Sequence, residues 1–154
     1  MLRILTDLFE SLGHSQEPAR DADLQHTLQL ATAVLLIEVV RADGKIDAVE
    51  RQAVLDALRT RFALSEAELT ELFALAQQRS EDSHDLYSFT ARLNQTLDEP
   101  QRVRVFEMLW SVAYADGQAD AHETHLLRRV ADLLHLRHGD AIGAKLRAER
   151  LQRQ

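Results

Sequence analysis

Ala42-Asp43-Gly44-Lys45-Ile46-Asp47-Ala48-Val49-Glu50 and Ala115-Asp116-Gly117-Gln118-Ala119-Asp120-Ala121-His122-Glu123 agree at six of nine positions and stand 73 residues apart. Agreement at a fixed offset is the mark of an internal repeat. The apolar pattern extends the match outward: Leu36 corresponds to Leu109, Ile37 to Trp110, Val39 to Val112, Val54 to Leu127 and Ala57 to Val130.

What flanks each nonapeptide sets the architecture. From Leu24 to Ala42, the residues Leu28, Leu30, Ala31, Val34, Leu35, Leu36, Ile37, Val39 and Val40 surround a helix almost completely, which predicts a buried one. Before the second nonapeptide, Val103, Val105, Phe106, Met108, Leu109, Trp110, Val112 and Ala113 do the same in a helix running to about Ala115. After each nonapeptide the apolar residues keep to one face: Ala53, Val54, Ala57, Leu58 and Phe62 over Asp47 to Phe62, and Leu126, Leu127, Val130, Ala131 and Leu134 over Ala121 to Leu134. Each half therefore reads as a buried helix, an Asp-Gly turn and a surface helix.

The remaining elements are helical too. Ser65-Glu66-Ala67-Glu68 and Asp98-Glu99-Pro100-Gln101 have capping-box form, the second with proline in the first turn, where its missing amide costs nothing. Leu86, Tyr87, Phe89, Thr90, Leu93 and Leu97 form a stripe, and a last helix starts near Asp140 and ends among Lys145, Arg147, Arg150 and Arg153. Leu2, Leu5, Leu8, Phe9 and Leu12 predict an amphipathic helix over Met1 to Leu12, stopped at Gly13 and followed by a polar linker containing Pro18. The expected fold is all-α: a helical bundle of about seven to eight helices from two pseudo-twofold-related halves, each with a buried central helix. Residues 1–20 form an N-terminal helix and linker, and residues 21–154 the domain.

Composition narrows the function classes. A chain of 154 residues is one domain's worth and buries about 70% of its unfolded surface without needing a staple. The absence of cysteine excludes disulfides, thiolate zinc sites and cysteine chemistry, and fits a reducing compartment, so the cytoplasm is the expected location. Asp7 and Glu10 interrupt any signal peptide, and the longest apolar run, Ala31 to Ile37, falls far short of a membrane span. A net charge of −7 with 25 acidic residues argues against nucleic acid and for cations or basic partners.

The repeated motif has a structural reading and a chemical one. Asp47 with Glu50, and Asp120 with Glu123, stand three apart at helix starts and form capping boxes, while Gly44 and Gly117 suit the left-handed residue that ends a helix. Asp43 and Asp116 need something more, because an aspartate on a last turn faces the negative end of the helix dipole at a cost of about 0.3–1 kcal/mol. A bound cation, or the N-terminus of the adjoining helix, would compensate it. Asp-Gly-x-x-Asp-x-x-Glu offers three carboxylates within eight residues, a donor set for Ca²⁺ or Mg²⁺. It is not an EF-hand, whose loop has twelve residues and a central glycine.

Other constellations carry less. His122-Glu123-Thr124-His125 sets its histidines three apart where the zincin motif needs four, so any Zn²⁺ or Ni²⁺ held there would be adventitious. His135 and His138 fall between the last two helices, where histidine meets terminal carbonyls or caps the next start. Glu81-Asp82-Ser83-His84 supplies one of the two Glu-x-x-His motifs a di-iron bundle requires. Trp110 and Tyr114, four apart, have core spacing, and neither a Gly-x-Ser-x-Gly elbow nor a phosphate loop is present.

Ala-Asp-Gly at the end of an apolar helix, an acidic helix start after it, and the duplication resemble the TerB (tellurite-resistance) family, from about Leu24 to Arg147. The match is to its short stand-alone bacterial members, whose pattern Asp85-Leu86-Tyr87-Ser88-Phe89-Thr90, Met108-Leu109-Trp110-Ser111-Val112-Ala113-Tyr114-Ala115-Asp116-Gly117 and Ala131-Asp132-Leu133-Leu134-His135 resemble. The resemblance implies an all-helical fold, association with tellurite and stress responses, and no established catalysis. It also implies a metal-binding acidic patch, which by position is Asp43, Asp47, Glu50, Asp116, Asp120 and Glu123. Ala119 and His122 stand where the first half has Ile46 and Val49, so the two corners are not identical.

Similar domains precede the J-domain of membrane-anchored co-chaperones, which implies docking as the alternative role. The expectation is a non-catalytic module that binds a divalent cation, with no other cofactor. The alternative is a metal-free protein-docking module for a partner the sequence does not name. Oligomeric state is not legible.

Overall fold

The computed structural model describes residues 21–42, 48–77, 84–114 and 121–152. Seven helices run through them: α1 Asp21–Ala42, α2 Ala48–Arg61, α3 Glu66–Gln77, α4 His84–Thr96, α5 Glu99–Ala113, α6 Ala121–Leu133 and α7 His138–Gln152. No strand occurs among the described residues, and the bundle is all-α as expected. The helix expected over Met1 to Leu12 and the linker after it lie outside the described residues. No described helix is long and apolar enough to cross a membrane.

α5 is the hub. It packs most extensively on α7, next on α1, and also touches α2 and α6, while α1 additionally holds α3 and α4. The two helices whose apolar residues encircle them are thus the two at the centre. Ala31, Ala33, Val34, Leu35 and Ile37 of α1 and Val105, Phe106, Leu109 and Trp110 of α5 are buried. Thr32, a polar residue in the deepest stretch of α1, is satisfied locally, its hydroxyl donating to the Leu28 carbonyl at 2.7 Å and lying 3.6 Å from Met108 Sδ on α5.

Both quoted capping boxes form. Ser65 Oγ accepts from the Glu68 amide at 3.1 Å while Glu68 Oε1 accepts from the Ser65 amide at 2.8 Å. Asp98 and Gln101 exchange the same pair of bonds at 2.9 and 3.0 Å at the start of α5, with Pro100 in its first turn. Each box satisfies two amides that a helix start leaves without partners.

α6 ends differently from the expectation for His135. The histidine does not reach back to a carbonyl; it occupies the left-handed position itself, with φ 55°. Its amide donates to the Asp132 carbonyl and the Leu136 amide to the Ala131 carbonyl, both at 3.1 Å, the bonding pattern of a Schellman stop. Asn94 of α4 supplies the side-chain cap, its amide donating to the Leu133 carbonyl at 2.9 Å.

α5 also stops earlier than expected. Its last helical residue is Ala113, with Tyr114 as C-cap at φ −87° and ψ 3°. α1 is helical to Ala42, and Asp43 and Asp116 themselves lie outside the described residues.

Candidate functional site

Of the six carboxylates singled out, Asp43, Asp47, Asp116 and Asp120 lie outside the described residues. Glu50 and Glu123 fall on described backbone, each as the third residue of its helix, α2 and α6. Ala48 and Ala121 open those helices, and in the sequence an aspartate, Asp47 or Asp120, comes just before each. An N-cap aspartate followed by glutamate at the third helical residue is the register of a capping box. The positive end of the helix dipole favours carboxylates there whether or not a cation is bound.

Every donor in the set is a carboxylate oxygen, the ligand that Ca²⁺ and Mg²⁺ prefer and that suits thiophilic metals poorly. Among the described residues no three His, Asp or Glu side chains stand close enough to hold a metal ion. His125 is exposed, and the side chain of His122 lies outside the description, as does that of His84.

An aromatic column runs along the C-terminal half of α5. Trp110 is buried, stacks on Tyr114 at 5.5 Å and meets Phe106 edge-on at 6.2 Å. Lys145 of α7 sets its ammonium 5.2 Å from the centre of the Trp110 ring, a cation–π contact. Trp110 and Tyr114, read from spacing as core, thus pack together at the end of α5, with Trp110 also held by Phe106 and Lys145.

A family model described as Tellurite resistance protein TerB matches residues 29–146. The chain belongs to the TerB family. The match begins in α1 and ends in α7, so it takes in both nonapeptides and every described helix in whole or in part. No curated protein and no solved structure matches the chain significantly.

Two groups escaped the reading of the sequence as a TerB-type chain. Glu107 is a nearly buried carboxylate on the hub helix: its Oε2 accepts from Arg104 Nη1 at 2.9 Å and its Oε1 from Arg147 Nε at 2.8 Å. A charge in that position survives because both oxygens are paired. An acidic residue inside an otherwise apolar run was the available signal, but Arg147 is 40 residues away and only the fold brings it near.

The other is the link between His26 of α1 and Glu68 of α3, with Nε2 and Oε2 2.9 Å apart. Since a carboxylate only accepts, the imidazole carries its proton on Nε2 in this contact. Burial alone would raise the pKa of Glu68, but the Ser65 amide, and after it His26, outweigh that effect and leave it below the ordinary 4.5. Glu68 is thereby both a helix cap and a strut between helices.

Proposed function

We propose that this chain is a non-catalytic TerB module that binds a divalent cation, Ca²⁺ or Mg²⁺, through the duplicated Asp-Gly-x-x-Asp-x-x-Glu corners and serves in tellurite or stress response. The observation that carries the reading is the repetition itself. Two helices start 73 residues apart, at Ala48 and Ala121, with an aspartate just before each and a glutamate at each third position. Further support comes from membership of the TerB family and from a donor set made only of carboxylate oxygens. The two copies differ at Ala119 and His122, so their affinities differ as well.

Titration of chelator-treated protein with Ca²⁺, Mg²⁺ and Zn²⁺, followed by amide chemical shifts, tests the proposal. Shifts at Gly44 and Gly117 with Ca²⁺ or Mg²⁺ are expected, together with a rise in melting temperature that Asp43→Asn combined with Asp116→Asn abolishes. Shifts confined to His122 and His125, seen only with Zn²⁺, would reduce the corners to helix caps with an adventitious imidazole site. No shifts with any cation, alongside chelator-insensitive and salt-sensitive capture of a basic partner, would replace the metal module by the docking module.

A further inference from the structure

We draw no further inference here: the strongest candidate, the outward surface patch of α7 around Ile142 and Leu146, is an unpartnered apolar face, and nothing in the structure shows what covers it.

Discussion

Glu68 holds two interactions with one carboxylate: Oε1 closes the box with Ser65 and Oε2 ties α3 to His26 of α1. Its lowered pKa sets the sign of a pH effect. A carboxylate more acidic in the folded chain than its ordinary 4.5 contributes stability that is complete above that value and lost as pH falls through the lower, folded value. Glu68→Ala is expected to cost about 1 kcal/mol at pH 7, near the middle of the range for helix caps. Partial exposure keeps the His26 contribution small. The cost should shrink toward pH 3, which urea titrations of both proteins at the two pH values would show. At this scale the box was readable, because Ser-x-x-Glu is local. The His26 contact was not, since nothing local selects a partner 42 residues away.

His135 makes the same point in reverse. Its place after the last apolar residue of α6 is legible as a helix end, but its left-handed φ of 55° is set by the Schellman bonds and by Asn94 arriving from α4. Side-chain type suggested one role and backbone conformation delivered another.

Among the elements, the largest interface joins α5 to α7. Arg137 meets Glu99 and Arg147 meets Glu107, so the two helices run in the same direction. Ala144 and Ala148 are 0% and 1% exposed, small residues that let α7 lie close to the hub. Ala148→Leu is expected to cost about 1–3 kcal/mol, the usual penalty for overpacking a filled site, read as a lower urea midpoint. The same change at exposed Ala53 of α2 should cost far less, which separates packing from helix propensity. Read as a sequence, α7 showed a basic C-terminal end and little apolar weight, because alanine spacing is a weak hydrophobic signal. Its importance comes from closeness of approach, which only the packed helices display.

For the whole molecule, α5 carries the only tryptophan, buried at the centre. If the hub and its neighbours form one cooperative unit, fluorescence of Trp110 and far-UV circular dichroism will report the same urea midpoint. Leu109→Ala, at a fully buried position on that helix, is expected to cost about 3–5 kcal/mol. That is a large share of the roughly 5–15 kcal/mol that holds a domain of this kind folded, and both probes should shift together. Separated midpoints would show instead that some helices unfold independently of α5.

Helical class, the two central helices, two capping boxes and the places where α2 and α6 begin all follow from the sequence, because each rests on periodicity or on bonds spanning three or four residues. The candidate site was legible only as a motif: spacing puts Asp47 and Glu50, and Asp120 and Glu123, in capping register. Whether the corners approach one another is a long-range matter that spacing does not address. Tertiary structure alone decided that α5 and not α1 is the hub, that Glu107 is shared by two arginines, and that α7 turns Ile142 and Leu146 outward. Each of these depends on groups far apart in the chain meeting at one place, and local pattern carries no information about such a meeting until the helices have packed.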